Sequence, residues 1–185
     1  MFMNLWRNFP PGPKGKFPDE IHVVIEVPMG TANKYEVDLE TGVIFLDRSL
    51  HTSSVYPGDY GFVPQTLALD GDAIDVLVLT VKPTFPYCVV RAKPIGLLKM
   101  RDEKGEDNKV IAVPVTEPRL SHIKTIDDLG EHRKKELSHF FQHYKDLEEG
   151  KWVEFLGFGG PEDAKKELLD ANRAFWELIR SKERI

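Results

Sequence analysis

The sequence predicts a mainly β fold with α-helices in its C-terminal third. Residues 21–115 form short β-branched runs separated by Pro, Gly, Asn and Asp, a pattern typical of a closed barrel or a sandwich. The last third instead repeats apolar residues every three or four positions, which is the period of an amphipathic helix. No internal repeat or long linker divides the 185 residues. We therefore expect a single domain over 1–185.

The strands are predicted in chain order from alternation and turn residues. Residues 1–18 are an irregular lead-in rich in Pro and Gly. A strand at 21–27 is followed by a hairpin with arms at 35–39 and 43–47. The composition of 56–64 indicates a loop with a specific backbone path. Further strands are predicted at 76–81, 87–92, 95–100 and 110–115.

Two helices are predicted after the strands. The apolar face of the first is formed by Leu137, Phe140, Phe141, Tyr144 and Leu147. Gly150 is placed to end that helix. A glycine-rich loop at 157–160 follows, and Pro161 suits the first position of the second helix. The apolar face of the second helix is formed by Ala164, Leu168, Ala171, Phe175 and Leu178.

Composition excludes several classes of function. A net charge of -5 argues against nucleic acid or an anionic membrane surface as the main partner. No segment approaches the roughly 18 apolar residues of a membrane span, and the N-terminus lacks the apolar core of a signal peptide. Cys88 is the only cysteine, so an intrachain disulfide is excluded. We expect a cytoplasmic protein with no nucleic-acid or membrane partner.

Three aspartates, Asp70, Asp72 and Asp75, lie within six positions before a predicted strand. Carboxylates this close repel one another unless a cation lies among them, and oxygen ligands suit Mg²⁺ and Ca²⁺. An EF-hand is excluded because, counted from Asp70, positions 5, 6 and 12 of its loop would be Ile74, Asp75 and Val81. A polar turn explains one aspartate better than three. The pattern therefore favours a metal site.

A second acidic cluster lies in the predicted turn at 101–108. Its members are Asp102, Glu103, Glu106 and Asp107. If the strands on either side of this turn pair, Asp102 and Asp107 lie near each other and could hold a second metal ion. Alone, the cluster is more simply a solvated turn. Beside the first cluster, a metal site is favoured over a solvated turn, since Mg²⁺ prefers few carboxylates together with water and phosphate oxygens.

Cationic and phenolic side chains accompany the two acidic clusters. They are Lys34, Arg48, Tyr56, Tyr60, Lys109, Tyr144 and Lys145. Taken singly, a lysine of this kind is usually a surface residue, and Tyr144 on an apolar helical face is usually core packing. The combination is what a polyphosphate held between metal ions and hydrogen-bond donors requires.

With these residues in place, the sequence resembles the soluble family I inorganic pyrophosphatases. The Asp-x-Asp-x-x-Asp signature of that family, running into an apolar strand, is matched by residues 70–76. Other segments similar to the family are 24–28, 33–36, 46–48, 56–61, 94–96, 99–103, 105–109, 139–145 and 151–153. Two features depart from the family pattern. Ala73 replaces a common proline, and the loop between Glu26 and Lys34 is short, but neither removes a candidate ligand.

The resemblance implies a fold, an activity and an assembly. The fold would be an OB-like five-stranded β-barrel with additional strands and two amphipathic helices packed outside it. The activity would be Mg²⁺-dependent hydrolysis of pyrophosphate to two phosphates by direct attack of a metal-bridged water, with Asp72 as general base. Mn²⁺ or Zn²⁺ would be the substitute metals. A cytoplasmic homohexamer is common among prokaryotic members.

The resemblance also implies roles for individual residues. Metal ions near the nucleophile would be ligated by Asp70, Asp75 and Asp107, and a further ion that binds with substrate would be held by Asp102 and Asp107. Glu26 would support the metal shell through water, with Glu36 and Tyr56 beside it. The residues that would hold phosphate oxygens are Lys34, Arg48, Tyr60, Lys109, Tyr144 and Lys145.

Two other functions account for part of the pattern. A small barrel could be an OB-type nucleic-acid binder, but that class uses a basic, aromatic-lined groove, whereas this chain clusters acid on its loops. A Mg²⁺-dependent nucleotide-sugar enzyme could use an Asp-x-Asp pair, but the sequence offers no visible nucleoside pocket. Both remain to be distinguished from a pyrophosphatase by substrate tests.

Overall fold

The computed structural model describes residues 4–182 and contains nine strands and three α-helices in that range. The helices are α1 (Leu5–Asn8), α2 (Glu131–His143) and α3 (Pro161–Lys182). The strands are β1 (Ile21–Val27), β2 (Asn33–Val37), β3 (Ile44–Ser49), β4 (Asp59–Phe62), β5 (Asp75–Val78), β6 (Val89–Asp102), β7 (Gly105–Glu106), β8 (Lys109–Pro114) and β9 (Val153–Gly159).

Five of these strands close into a ring. β1 pairs antiparallel with β4, and β4 with β5. β5 then pairs parallel with β8, β8 antiparallel with β6, and β6 antiparallel with β1. The inward side chains are apolar and fully buried, as alternation along a closed ring requires. The ring confirms the predicted OB-like five-stranded arrangement.

The remaining strands are attached to this ring. β7 pairs with residues 101–102 of β6, and β9 pairs with residues 97–102 of the same strand, so the end of β6 has a partner on each edge. β2 and β3 form a separate two-stranded hairpin, as predicted from the alternating runs. In that hairpin Lys34 lies opposite Arg48, so two candidate phosphate ligands are neighbours across the strands.

β6 corrects the prediction of two strands at 87–92 and 95–100. It is one strand of 14 residues that continues through Pro94. Proline has no N–H for the ladder, which is why Pro94 predicted a break. Instead the register with β8 shifts between Pro94 and Gly96, and this bulge lets the strand continue.

Two segments predicted as loops contain strands. The loop at 56–64 includes β4, where Gly61 is required because a Cβ there would overlap the carbonyl oxygen of Val24. The loop at 157–160 is largely the end of β9, with Gly159 paired to Leu97. A Cβ at Gly96 would stand only 2.8 Å from the Gly159 oxygen. In both places glycine permits close strand contact rather than a turn.

The two longer helices pack outside the ring. The main difference from the prediction is the C-terminal end of α2. α3 buries Ala164, Leu168, Ala171 and Phe175, as its spacing predicted. α2 ends at His143, so Leu147 is not helical and is 66 % exposed. After Tyr144 the chain forms a turn in which Glu148 N donates to the carbonyl oxygen of Lys145 at 2.9 Å, and the Glu148 side chain accepts a hydrogen bond from Arg48 Nε at 2.8 Å.

The N-terminal lead-in also differs from prediction. Residues 1–3 lie outside the described part, and Leu5–Asn8 forms the short helix α1 rather than irregular chain. Trp6 is buried against Phe175, with ring centroids 5.2 Å apart. Its indole Nε1 donates to the carbonyl oxygen of Thr66 at 2.7 Å.

None of the helices within residues 4–182 is both long enough and apolar enough to span a bilayer.

Candidate active site

A pocket of about 460 Å³ brings the sequence-predicted residues together. All five ring strands contribute to its walls, together with the β2–β3 hairpin and the segment at the end of α2. Every predicted site residue lines this pocket: Glu26, Lys34, Glu36, Arg48, Tyr56, Tyr60, Asp70, Asp72, Asp75, Asp102, Asp107, Lys109, Tyr144 and Lys145.

The aspartate loop before β5 is shaped by local hydrogen bonds. Asp72 N donates to Asp70 Oδ1 at 3.1 Å, and Gly71 adopts a φ of +92° that favours glycine. Behind the loop, the buried hydroxyl of Thr66 accepts a hydrogen bond from Ile74 N at 2.9 Å. Ala73 is buried, so the loop is closed by packing and hydrogen bonds without the usual proline.

Lys109 lies at the centre of the acidic wall. Its ammonium stands 2.5 Å from Asp75 Oδ2 and also contacts Asp107 Oδ1, and the residue is only 2 % exposed. The parallel pairing of β5 and β8, which places Val76 beside Val110, brings Asp75 and Lys109 together at the starts of the two strands. A single buried cation therefore joins the two acidic clusters.

The second acidic cluster is held by its own contacts. Asp102 is buried, and its two oxygens accept hydrogen bonds from Lys145 Nζ at 2.7 Å and from Lys104 N at 2.8 Å. Asp107 N donates to the carbonyl oxygen of Met100 at 3.0 Å, which closes the neck of the turn. The antiparallel pairing of β6 and β8 places Asp102 and Asp107 in the same pocket, as the sequence predicted.

The β2–β3 hairpin supplies the cations of the opposite wall. Lys34 Nζ contacts Glu36 and lies 3.6 Å from Asp47 Oδ2. Arg48 contacts Asp47 and donates from Nε to Glu148 at 2.8 Å. Each of these cations is paired with a carboxylate, so an anionic ligand binding here would compete with protein carboxylates or share the cation with them.

Aromatic side chains form the floor between the two walls. Tyr56, Tyr60, Phe140, Phe141 and Tyr144 pack with ring centroids 5.0–6.4 Å apart. The hydroxyl of Tyr56 is buried and has no hydrogen-bond partner among residues 4–182. Since buried polar groups are normally hydrogen-bonded, this hydroxyl at the pocket is suited to a ligand oxygen or water.

The electrostatics of the pocket are those of crowded carboxylates with inserted cations. Burial raises the pKa of Glu26 to about 8. Partial burial, with help from Asp70 and Asp75, raises the pKa of Asp72. Burial likewise raises the pKa of Asp107, although Lys109 opposes it. These three carboxyls, of which Asp107 is a candidate metal ligand, are thus disfavoured as free anions, so additional positive charge would stabilise their ionised forms.

The donor set fits a hard cation. The four candidate ligands, Asp70, Asp75, Asp102 and Asp107, offer only carboxylate oxygens, which suit Mg²⁺. Over residues 4–182, no three Asp, Glu, His or Cys side chains converge closely enough to enclose a metal ion by themselves. Two ammonium groups instead occupy positions among the carboxylates. A metal here would take some ligands from water and substrate, as Mg²⁺ usually does.

The structure adds residues that the sequence-based site omitted. Asp47 and Glu148 pair with Arg48, and Glu103 pairs with Lys151, all at the pocket. Lys104 also lines the pocket. Asp47 and Lys151 lie in segments that resemble the family, and Glu103 lies in the second acidic cluster, so some signal was present for them. Glu148 carried none, because its contact with Arg48 joins residues 100 positions apart.

The closed five-strand ring with helices outside it defines an OB-like protein, and its pocket combines carboxylate oxygens that suit a hard cation with cationic side chains that suit phosphate. Comparison with known proteins specifies the family. The inorganic pyrophosphatase family model matches residues 23–176. The inorganic pyrophosphatase of Aquifex pyrophilus is 51 % identical over 165 residues, covering 88 % of this chain and 92 % of the relative.

Other relatives agree in sequence and structure. The inorganic pyrophosphatase of Saccharolobus solfataricus is 51 % identical over 162 residues, covering 86 % of this chain and 94 % of the relative. The crystal structure of inorganic pyrophosphatase from Thermus thermophilus superposes with a TM-score of 0.89 at 47 % identity, covering 94 % of this chain and 99 % of that structure. The chain belongs to the inorganic pyrophosphatase family and is a hydrolase.

Proposed function

We propose that this protein hydrolyses inorganic pyrophosphate to two phosphates in a Mg²⁺-dependent reaction, with Asp72 as general base. The observation that carries the proposal is the meeting of the five predicted aspartates, the three predicted lysines and Arg48 in a single pocket with a tyrosine hydroxyl that has no partner among residues 4–182. Membership of the pyrophosphatase family supports the substrate. The net charge of -5 is compatible with an anionic substrate, because the local cations and any bound metal set the field in the pocket.

The metal ions would be held on the acidic wall. Asp70, Asp75 and Asp107 are the proposed ligands nearest the attacked phosphorus, and Asp102 with Asp107 would hold a further ion. When bound, Mg²⁺ would supply Lewis-acid chemistry, lowering the pKa of water and neutralising phosphate oxygens. Glu26 lies behind this wall and accepts a hydrogen bond from Val37 N at 2.7 Å, so its second oxygen is available to ordered water.

Asp72 is the proposed base because its carboxylate is left free. Among residues 4–182 it takes part in no ion pair and accepts no hydrogen bond, unlike Asp75, Asp102 and Asp107. Burial and the neighbouring Asp70 and Asp75 raise the pKa of Asp72, which makes it a stronger base than an ordinary aspartate. It would remove one proton from the attacking water as the new P–O bond forms.

The other wall would bind the phosphate groups. Lys34 and Arg48 on the hairpin, with Tyr60 and Tyr144 on the floor, would offer donors to the departing phosphate, and Tyr56 would lie in the surrounding shell. As the bridging P–O bond breaks, its electron pair remains on that phosphate, where these donors stabilise the negative charge. Lys109 and Lys145 already lie among the carboxylates and would move little to share a phosphate oxygen.

Three further features are proposed on the family resemblance. The chain would form one domain, assemble as a homohexamer and act in the cytoplasm. Mn²⁺ or Zn²⁺ would replace Mg²⁺ as cofactor with altered rate. No nucleic-acid or membrane partner is proposed.

The test is a phosphate-release assay with pyrophosphate. We expect release with Mg²⁺, none in chelator, and inhibition by Ca²⁺ in competition. Nucleoside diphosphates serve as the matched control substrates, since a nucleotide-sugar enzyme would need the nucleoside. Equal turnover of nucleoside diphosphates, or tight salt-dependent binding of single-stranded DNA without phosphate release, would contradict the proposal.

A further inference from the structure

A half-buried carboxylate on α3 contacts the acidic turn from outside the pocket. Glu167 Oε2 accepts a hydrogen bond from Asn108 Nδ2 at 3.0 Å. Asn108 lies between Asp107, a proposed metal ligand, and Lys109, the buried cation of the acidic wall. Glu167 borders the buried face of α3, because it lies three residues after the buried Ala164 and four before the buried Ala171.

Asn108 uses most of its hydrogen-bonding capacity in the structure. Its Oδ1 accepts from Met100 N at 3.2 Å, and its Nδ2 donates to Glu106 Oε1 at 2.6 Å as well as to Glu167. An amide offers two donors and one acceptor oxygen, so both N–H groups are engaged. The side chain therefore ties both arms of the turn to one point on α3.

This tie is the principal link between α3 and the turn. Over residues 4–182, the Asn108–Glu167 bond is the one side-chain hydrogen bond that joins α3 to residues 101–108. Beside it, a cleft of about 540 Å³ separates α3 from the aspartate loop. Asp70, Asp75, Asp107, Asn108 and Glu167 all line that cleft. The bond therefore ties the turn to α3 at the edge of this cleft, while the pairing of β6 with β7 holds the two arms of the turn to each other.

Within the turn, Asp107 depends on the same support. Its backbone N–H donates to Met100 O, while Met100 N–H donates to the Asn108 side chain. Loss of the Asn108 amide would remove one of these two bonds across the neck. Asp107 would then keep its own N–H bond to Met100 O and the contact of its carboxylate with Lys109.

We propose that Asn108 and Glu167 are positioning residues that fix the acidic turn and thereby set the Mg²⁺ affinity of the site. This inference rests on the proposed Mg²⁺-dependent function. Neither residue would touch metal or substrate. They act through Asp107, in the manner of outer hydrogen-bond partners whose loss weakens metal binding by roughly 10- to 100-fold.

Variants of Glu167 separate positioning from general packing. Glu167→Ala removes the acceptor, whereas Glu167→Gln keeps an oxygen at the same place and removes the charge. Glu177→Ala is the matched control, because Glu177 is exposed on the same helix and makes no ion pair within residues 4–182. Asn108→Ala tests the other end of the bond.

The readout is the Kd for Mg²⁺, measured by calorimetric titration of the metal-free protein. We expect Glu167→Ala and Asn108→Ala to raise Kd about tenfold, with Glu167→Gln and Glu177→Ala within twofold of the parent. In the assay, excess Mg²⁺ should restore kcat for Glu167→Ala. This pattern would indicate a weakened metal site and not the loss of a catalytic group.

Two other results would overturn the inference. One is a lower Tm for Glu167→Ala with an unchanged Kd for Mg²⁺, which would leave Glu167 a purely structural role. The other is a Kd raised equally by Glu177→Ala. If the parent protein itself binds no Mg²⁺ and releases no phosphate, the proposed function is wrong, and the inference is wrong with it. If the parent binds Mg²⁺ and releases phosphate but the variants keep its Kd, only the inference is wrong.

Discussion

The two walls of the pocket are built differently. The acidic wall, which we define as Asp70, Asp72, Asp75, Asp102 and Asp107, lies on ring strands and the loops directly joined to them. The hairpin wall, which we define as Lys34 and Arg48, lies on a two-stranded sheet outside the ring. One wall is part of the main fold, and the other is attached to it.

Burial follows this difference. Lys109, at the centre of the acidic wall, has a side chain that is 3 % exposed, whereas the side chains of Lys34 and Arg48 are 20 % and 23 % exposed. Charges in the acidic wall are therefore removed from water and strongly coupled, and those of the hairpin wall are partly screened. Changes to the acidic wall should affect folding and chemistry, while changes to the hairpin wall should affect mainly substrate binding.

Lys109→Met gives the largest expected effect on stability. It leaves Asp75 and Asp107 without their shared cation, and breaking a buried pair of this kind costs about 3–5 kcal/mol. Urea denaturation in chelator should show this loss, and added Mg²⁺ should reverse part of it. Lys166→Met, which removes the exposed ion pair with Asp170 on α3, is the control and should change stability by less than about 1 kcal/mol. Equal losses in the two variants would show that the acidic wall is not electrostatically coupled.

Asp72→Asn tests the chemistry of the acidic wall without changing the stability of the fold. The carboxylate makes no ion pair within residues 4–182, so folding should be nearly unchanged. Loss of the base should lower kcat by roughly 10²- to 10⁴-fold, with the Kd for Mg²⁺ close to that of the parent. Asp127→Asn, on an exposed 3₁₀ turn, is the matched control. Turnover near the parent rate would remove Asp72 from its proposed role.

Glu26 makes the acidic wall sensitive to pH in the metal-free protein. Burial raises its pKa from 4.5 to about 8, so between these values the folded state binds the proton and the unfolded state releases it. Stability should therefore fall as pH rises from about 5 to about 8. Denaturation curves in chelator should show a smaller fall for Glu26→Gln, which cannot ionise. Parallel pH profiles for the parent and this variant would show that Glu26 is not protonated in the fold.

Arg48→Ala tests the hairpin wall. The change removes a donor to phosphate and leaves Asp47 and Glu148 without their cation. We expect KM to rise and kcat to fall, with a combined loss in kcat/KM of roughly 10- to 100-fold, while the free energy of unfolding falls by less than in Lys109→Met, because only one of the two carboxylates left unpaired, Glu148, is buried. Arg119→Ala removes an exposed arginine away from the pocket and is the control. Unchanged kinetics would exclude Arg48 from the site.

The sequence predicted the acidic wall well because its information is local. Asp70, Asp72 and Asp75 lie within one short loop, and Asp102 and Asp107 flank one turn, so spacing alone grouped each set. The contacts that join one set of residues to another were harder to predict from the sequence. Lys109 reaches Asp75 through a parallel strand pairing that has no local pattern. Glu148 reaches Arg48 from a segment that the helical period assigned wrongly to α2.

The sequence predicted the fold class but not the continuity of strand β6. Pro94 predicted a break because proline cannot donate to a ladder, yet a register shift absorbs it. Glycines at 157–160 predicted a loop because glycine is common in turns, yet Gly159 pairs with Leu97. In both cases the deciding factor was a close contact between strands distant in sequence, which composition does not reveal.

Lys104→Ala should give the smallest effect and sharpen the boundary between the two walls. Lys104 is exposed at the pocket, and unlike Lys34, Arg48, Lys109 and Lys145 it has no carboxylate partner within residues 4–182. A free cation at the mouth can attract an anion but is screened by solvent. We expect KM for pyrophosphate to rise about two- to threefold at low ionic strength, with kcat unchanged, and the difference to shrink at high salt. Lys104→Arg, which keeps the charge, should restore KM. A drop in kcat instead would place Lys104 in the chemistry of the acidic wall, beside Asp72.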